Sequence, residues 1–104
     1  MAELKWTTEA ERRFREIYNY ISEDAPPAAQ RVIKGIYERV QVLLAFPEIG
    51  HQYRIGDRNI RVLLYGHYRI PYLLRSDGDI DILGVFHGAM DWERYLLTTA
   101  SDPP

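Results

Sequence analysis

The sequence contains no cysteine, which excludes disulfide bonds, thiolate metal sites and thiol nucleophiles. It also lacks any run approaching the roughly 20 apolar residues that cross a bilayer. The residues from Met1 to Trp6 do not form the apolar core of a signal peptide. We therefore expect a cytoplasmic protein with no membrane segment.

An excess of positive charge is missing as well, because 13 lysine and arginine residues stand against 15 aspartate and glutamate residues. Charge-driven binding to nucleic acid depends on clustered cations, so direct sequence-specific nucleic-acid binding is not expected. The basic cluster Arg12, Arg13 and Arg15 alternates with glutamates and is predicted to be a solvated helix face. The aspartates of "SDGDID" are interpreted as turn chemistry, so neither a metal nor another cofactor is expected.

The chain does contain enough apolar material for one core. Hydrophobic residues make up 46% of its 104 positions, and a domain of this length buries roughly two-thirds of its unfolded surface. We predict a single domain over residues 1–100, followed by a loose tail, residues 101–104.

The first half of the chain carries helix patterns. "AELKW" predicts a first strand from Ala2 to Trp6. In "TEAE", Thr8 is placed to cap a helix and Glu11 to return the hydrogen bond. Apolar residues then follow at helical spacing: Ala10, Phe14, Ile17 and Ile21. A second helix is predicted from Pro27 to the "FPEIG" segment, so the two helices form an antiparallel hairpin.

The second half of the chain predicts a three-stranded β-meander between Ile60 and His87. Two-residue loops are predicted at the dipeptide "GH" in "YGHY" and at "DG" in "SDGD". With these loops, Leu64 lies opposite Arg69 in the first hairpin, and Leu73 lies opposite Ile82 in the second. The preceding segment "HQYRIGDRN" is polar and rich in turn residues, and it receives no assignment.

Both faces of this meander are apolar, which is unusual for a small antiparallel sheet. The first face is predicted to contain Arg61, Leu63, Tyr65, Tyr68, Ile70, Tyr72, Leu74, Asp81, Leu83, Val85 and His87. The second face is predicted to contain Ile60, Val62, Leu64, Arg69, Pro71, Leu73, Arg75, Ile80, Ile82, Gly84 and Phe86. We assign the tyrosine-rich first face to the helical hairpin, so the second face needs another cover. Pro71 has no backbone N–H to donate to a neighbouring strand, so it is expected at a β-bulge or on an edge strand.

The order of these elements, together with "FPEIG", "IRVLLYGHYRIPY", "DIDILGVFHG" and "MDWERYL", resembles the ParE/RelE toxin superfamily of bacterial type II toxin-antitoxin modules. The resemblance covers nearly the whole chain. It implies an α+β fold in which an N-terminal strand precedes an antiparallel helical hairpin packed on one face of an antiparallel-rich sheet. A short C-terminal helix from Asp91 completes it. It also implies a cognate antitoxin that neutralises the toxin.

Within this superfamily, RelE-like members cut messenger RNA on the ribosome, whereas ParE-like members poison DNA gyrase. A RelE-like nuclease is expected to carry a basic residue and a tyrosine after the last strand. Here the segment Gly88 to Trp92 has no basic residue, and Tyr95 lies in an acidic helix. "FHGAMDW" resembles the ParE-like branch, although Met90 stands where that branch suggests arginine. The resemblance thus implies a ParD-like antitoxin, DNA gyrase as the target, growth arrest and no catalytic residue.

Two alternatives remain open. One is a RelE-like, ribosome-dependent mRNA endonuclease with an atypical active site. Its candidates are His87 as acid or base, with Arg61 and Arg69 to neutralise the developing phosphorane charge. Against it, His67 is most simply a turn residue, and His87 a structural one. The other alternative is a binding relative without toxicity.

We expect the antitoxin to bind the second face, because leaving several large apolar side chains in water would cost a small domain much of its stability. Its predicted contacts are Ile60, Val62, Leu64, Arg69, Leu73, Ile82, Phe86, Trp92 and Leu96. An acidic antitoxin residue is expected to pair with Arg69. Trp92, Leu96 and Leu97 are predicted to form the apolar side of the C-terminal helix.

Overall fold

The computed structural model describes residues 2–55, 58–88 and 92–100. Its strands are β1 (Leu4–Trp6), β2 (His51–Ile55), β3 (Arg58–Tyr65), β4 (Tyr68–Leu74), β5 (Ile80–Ile82) and β6 (Phe86–His87). Its helices are α1 (Thr8–Ser22), α2 (Pro26–Gln41) and α3 (Trp92–Ala100), and a short 3₁₀ helix spans Val42–Leu44. This confirms the predicted α+β fold. The predictions about Met90, Asp91, the Leu97 side chain and the tail fall outside the described residues.

Thr7 caps α1, so the prediction that Thr8 is the cap is wrong by one residue. The Thr7 hydroxyl accepts a hydrogen bond from the Ala10 amide at 3.1 Å and donates one to the Ile82 carbonyl at 2.9 Å. The Thr7 amide donates to the same carbonyl at 3.1 Å. Thr7 therefore starts the helix and also ties its first turn to β5.

The helical hairpin packs on the first face, as predicted. Gly35 of α2 allows the close approach, because a Cβ atom at that position would lie 1.8 Å from the Tyr65 hydroxyl. α2 begins at Pro26 rather than Pro27, with both prolines in its first turn, where their missing N–H groups cost nothing. The buried core contains Ala10, Ile36, Val40, Leu43, Leu63, Ile70, Tyr72, Ile80, Ile82 and Val85.

The strands form one sheet in the order β1-β5-β4-β3-β2, with β1 parallel to β5 and the other neighbours antiparallel. The segment left unassigned contains β2, an edge strand whose polar sequence shows no apolar alternation. Its pairing with β3 runs from Ile55 opposite Arg58 to His51 opposite Val62. Beyond that point, the Arg39 side chain of α2 donates from Nε to the Leu64 carbonyl at 3.1 Å.

The first hairpin of the meander has the predicted register, with Leu64 opposite Arg69. Its turn uses Gly66 at a φ of 56°, in the left-handed region. The second hairpin differs by one residue, because Leu73 lies opposite Asp81 rather than Ile82. Its loop has three residues instead of two, and Gly78 takes a φ of 94°.

This shift changes which face the β5 side chains occupy. Ile80 and Ile82 join the core of the first face, so Ile82 is wrongly placed among the second-face residues. Asp81 instead lies beside Leu73, where it is 7% exposed. Its carboxylate accepts hydrogen bonds from the Arg75 guanidinium at 2.7 and 2.6 Å, which satisfies the buried charge.

A bulge restores the predicted register further along the chain. Between the pairs Tyr72 with Ile82 and Arg69 with Phe86, β4 contributes residues 70–71 and the facing segment contributes residues 83–85. Pro71 lies within this two-against-three arrangement, and its carbonyl accepts a hydrogen bond from the Leu83 amide at 2.9 Å. Phe86 therefore remains on the second face, next to Arg69, as predicted.

Candidate partner-binding face

The chain's own helix α3 covers much of the second face. Ile60, Val62 and Phe86 are buried, with at most 2% of each residue exposed, under Trp92 and Leu96. Leu73, Leu83 and Tyr95 pack against this cluster at its margin. The expectation of an open apolar face is therefore incorrect for most of these residues in the isolated chain.

Trp92 and Tyr95 hold α3 through aromatic contacts. The Trp92 ring meets the Tyr53 ring edge-on, with centroids 5.3 Å apart. The Tyr95 ring is tilted against Phe86, with centroids 5.5 Å apart. Offset and edge-on geometries of this kind add stabilisation beyond the buried area. Tyr53 belongs to β2, so the unassigned strand supplies half of the first contact.

The Arg13 side chain extends from α1, around the edge of the sheet, to α3. Its guanidinium carbon lies 4.3 Å from the Phe86 ring centroid and 4.4 Å from the Tyr95 ring centroid. Its Nε donates to the Glu9 carboxylate at 2.7 Å, and the Tyr95 side chain also hydrogen-bonds to Glu9. We call these four residues the Arg13 clamp. The prediction of a solvated face is therefore wrong for Arg13, whose cation is stacked between two rings.

The Arg13 clamp changes the pKa of the Glu9 carboxyl. Partial burial alone would raise the pKa of the Glu9 carboxyl. The hydrogen bonds from Arg12, Tyr95 and Arg13 outweigh this effect, so the pKa of Glu9 is lowered from its ordinary value. The ionised form of Glu9 is thus the one that holds the clamp together.

One rim of the second face remains accessible beyond α3. Leu64 is 46% exposed there, opposite the half-buried Arg69. The Arg69 Nη1 makes only a long contact, 3.4 Å, with the Gly88 carbonyl, and a Cβ atom on Gly88 would lie 2.8 Å from it. Across the described ranges, no ion pair joins Arg69 to a carboxylate. The rim thus combines an exposed aliphatic side chain with an available guanidinium.

The three candidate nuclease residues do not come together. Arg61 donates to the carbonyls of Glu48 and Gly50, both at 2.9 Å, and so holds the loop before β2. Arg69 lies on the second face. His87 lies across from Tyr68, four residues along β4 from the partner of Arg61, which corresponds to about 13 Å. Nothing in this arrangement gathers an acid, a base and a cation around one phosphate.

His87 has aromatic neighbours at the end of the sheet. Its ring lies edge-on to Tyr68 at 5.7 Å and stacks on the His67 ring at 6.2 Å. Burial raises the pKa of the Tyr68 hydroxyl. His67 lies in the β3–β4 turn, as the sequence suggested, and the contact between the two imidazoles was not predicted because it depends on where β6 ends.

A groove of about 530 Å³ opens beside the clamp, between α1 and the sheet edge. Its lining includes Arg13, Glu16, Ile17, Tyr20, Ile21, Tyr68, Val85 and His87.

Among the described residues, no group of three His, Asp or Glu side chains is placed to hold a metal ion. No helix in the described part of the chain is long and apolar enough to span a membrane.

With the helical hairpin on one face of a six-stranded sheet and α3 on the other, the fold is that of solved chains from toxin-antitoxin systems. The family model of the ParE toxin of type II toxin-antitoxin system, parDE, matches residues 4–92. A relative from Sinorhizobium fredii, named "Putative toxin Y4kP", is 39% identical over 93 residues, covering 89% of this chain and 95% of the relative. The chain therefore belongs to the ParE toxin family.

Solved structures agree at the level of the fold. A chain of the chromosomal ParDE toxin-antitoxin system from P. aeruginosa superposes with a TM-score of 0.71 and 24% identity, covering 84% of this chain and 96% of that chain. A chain of the toxin-antitoxin complex RelBE2 from Mycobacterium tuberculosis gives a TM-score of 0.64 and 22% identity, covering 83% and 96%. At these identities the likeness establishes the fold, which ParE-like and RelE-like proteins share.

Proposed function

We propose that the free protein arrests growth by inhibiting DNA gyrase and that a ParD-like antitoxin encoded beside it holds it inactive. The match to the ParE toxin model supports the first part of this proposal. The observation that carries it is that the three candidate nuclease residues do not face one point: Arg61 lies about 13 Å from His87 along β4, and Arg69, although adjacent to His87 across the β4–β6 pairing, lies on the opposite face of the sheet. Metal-independent RNA cleavage needs a base, an acid and cations gathered at one phosphate.

The antitoxin is proposed to bind the second face. At the open rim, an antitoxin segment would cover Leu64, and an acidic residue would pair with the Arg69 guanidinium. Over Ile60, Val62, Leu73 and Phe86, it would take the place of α3 and its anchors Trp92 and Leu96. Type II antitoxin tails suit such a role if they fold on binding, because a disordered segment can wrap a large surface.

Two assays with purified protein separate the gyrase proposal from the RNA-cleavage alternative. We expect the free toxin to block DNA supercoiling by gyrase and to leave messenger RNA intact on translating ribosomes. Arg69→Ala and His87→Ala variants test the alternative directly. Ribosome-dependent cleavage that either substitution abolishes would replace the gyrase proposal with a RelE-like nuclease. A protein that arrests no growth when expressed without antitoxin would instead be a non-toxic relative.

A matched pair of variants tests the binding face. Leu64→Asp changes a residue that is 46% exposed at the rim, whereas Leu44→Asp changes one that is 45% exposed in the 3₁₀ helix. Both proteins should fold, because each new carboxylate reaches water. We expect Leu64→Asp to weaken binding of the adjacent-encoded antitoxin more than about tenfold, a loss near 1.4 kcal/mol, with Leu44→Asp unchanged. Equal affinities would place the antitoxin elsewhere.

A further inference from the structure

The segment from the 3₁₀ helix to β2 carries a cluster of exposed apolar side chains. Among the large hydrophobic side chains that are exposed in the described ranges, four are not tyrosines, and three of these four lie within residues 44–49. They are Leu44, Phe46 and Ile49, with exposed fractions of 45%, 62% and 48%. We call these three residues the loop patch. Single exposed apolar residues are ordinary, whereas several in one short segment indicate a contact site.

A tight turn brings two members of the loop patch together. The Ile49 amide donates a hydrogen bond to the Phe46 carbonyl at 3.2 Å, which closes a four-residue turn. Pro47 occupies the second position of this turn, where its fixed φ is favoured. The Cα atoms of Phe46 and Ile49 therefore lie within about 7 Å of each other. Glu48, which is exposed, stands between them in the sequence.

Two first-face side chains fix the backbone of this turn. The Tyr72 hydroxyl donates to the Pro47 carbonyl at 2.7 Å and accepts from the Gly50 amide at 3.0 Å. The Arg61 guanidinium donates to the carbonyls of Glu48 and Gly50, both at 2.9 Å. A Cβ atom on Gly50 would lie 2.7 Å from the Tyr72 ring, so the backbone rests directly against that ring. The turn is thus held in place before a partner binds, which reduces the entropy lost on binding.

We propose that the loop patch is the surface by which the toxin recognises its target, DNA gyrase, and that Phe46 enters an apolar pocket with a lysine or arginine at its rim. This inference rests on the proposed function and names the toxin surface that carries it out. Phe46 is the anchor because it is the most exposed of the three side chains and because buried aromatic residues dominate the energy of protein interfaces.

The charge at the tip of the turn defines the rim of the pocket. Glu48 is exposed, and no ion pair within the described ranges involves its carboxylate. A partner that encloses Phe46 comes close to this negative charge. Complementary potentials across an interface favour the correct partner, so the rim must be basic.

Size and charge separate the target from other occupants. Three half-exposed side chains provide only a small part of the roughly 800 Å² that each partner of a stable dimer buries. A symmetric contact between two copies would also bring their Glu48 carboxylates toward each other. The antitoxin is proposed to bind the second face, whereas Arg61 and Tyr72, which hold the turn, share the first face. An anchor that enters a pocket on a different protein meets these conditions.

A matched pair of truncations tests the anchor. Phe46→Ala and Tyr20→Ala each remove an exposed ring, at 62% and 72% exposure, so both proteins should fold. We expect Phe46→Ala to raise the toxin concentration that half-inhibits gyrase supercoiling at least about tenfold, with Tyr20→Ala unchanged. Phe46→Ala should keep its affinity for the adjacent-encoded antitoxin. Loss of that affinity with inhibition unchanged would assign the loop patch to the antitoxin and overturn the inference.

Substitutions at the tip of the turn test the basic rim. Glu48→Gln should weaken inhibition of gyrase and reduce its dependence on salt, and Glu48→Lys should weaken inhibition further. Glu23→Lys makes the same charge change at an exposed position at the end of α1 and should leave inhibition unchanged. Stronger inhibition by Glu48→Lys would indicate an acidic rim and contradict the proposal.

The remaining outcomes distinguish this inference from the proposed function. Equal inhibition by wild type and Phe46→Ala overturns the inference and leaves gyrase as the target. A wild-type toxin that does not inhibit gyrase rejects the proposed function and, with it, the occupant named here. Sedimentation velocity tests the second copy, and we expect the free wild type and Phe46→Ala to be monomers. A wild-type dimer that Phe46→Ala dissociates would assign the loop patch to self-association and overturn the inference.

Discussion

The two faces of the sheet are covered in different ways. The first face lies under two helices of 15 and 16 residues. Its core includes Leu4 and Trp6 of β1, and Tyr72 in that core hydrogen-bonds to the loop before β2. The second face lies under one helix of nine residues with three anchoring side chains. In the proposed function, the cover of the first face is part of the fold, whereas the cover of the second face is a contact that the antitoxin replaces.

The strongest test of this difference is a buried charge on each face. Ile70 is fully buried in the first-face core, so we expect Ile70→Asp to prevent folding. Leu73, on the second face, is only partly buried, and we expect Leu73→Asp to fold with α3 detached. Circular dichroism would report whether each variant folds, and hydrogen exchange would report whether α3 has detached. If Leu73→Asp unfolds and Ile70→Asp is tolerated, the assignment of the two covers must be exchanged.

Removing an anchor of α3 should have an intermediate effect. Trp92 is 4% exposed, and Trp92→Ala should cost about 3 kcal/mol of docking free energy. We expect fast amide exchange in α3 and unchanged protection in α1 and α2. Loss of protection throughout the protein would show that α3 is as integral as the helical hairpin.

A smaller loss is expected from a hydroxyl that ties the loop before β2 to the first-face core. The Tyr72 hydroxyl donates to the Pro47 carbonyl at 2.7 Å and accepts from the Gly50 amide at 3.0 Å. Tyr72→Phe leaves that amide unpaired in a buried site, which should lower the free energy of unfolding by about 1 to 3 kcal/mol. Urea denaturation measures it, and the exposed Tyr37→Phe is the control.

The smallest effect concerns pH. The pKa of Glu9 is lower in the folded protein than in the unfolded chain. The contribution of ionised Glu9 to stability is therefore fully present above the unfolded-state pKa near 4.5, and it is lost as the pH falls through the folded-state pKa. Acid should therefore loosen α3 before the helical hairpin. Hydrogen exchange of the α3 amides, measured as the pH falls below about 4.5, would follow this loosening. Glu9→Gln should abolish the pH dependence. A dependence that survives in Glu9→Gln would assign it to another group.

The two hairpins show how far the sequence determines the fold. "YGHY" predicts the correct register because a two-residue loop with Gly66 first matches the twist of the flanking strands. "SDGD" allows either a two- or a three-residue loop with glycine in the left-handed region. In most sheets the apolar face would decide between them, but both faces here are apolar, so the alternation of Ile80 and Ile82 carried no register information.

The candidate site was predictable only in part. The apolar residues Ile60, Val62 and Phe86 followed from strand alternation, and the apolar side of α3 followed from helical spacing. The packing of α3 on these strand residues could not be predicted, because a nine-residue helix can dock on its own chain or on a partner. Arg13 was missed for a similar reason. Its position among glutamates on a helix predicted a solvated face, whereas its ion pair with Glu9 is joined by two aromatic contacts that depend on the tertiary fold.

The hydrogen bond from Arg39 to the Leu64 carbonyl has a consequence for association between copies of the protein. The end of β3 beyond Val62 has no strand partner on that side among the described residues, and an open strand edge is a template for another chain. Arg39 occupies the carbonyl that such a strand would need and places a positive charge in its path. A protein released from its partner, with apolar surface at Leu64 nearby, is thereby hindered from polymerising edge to edge.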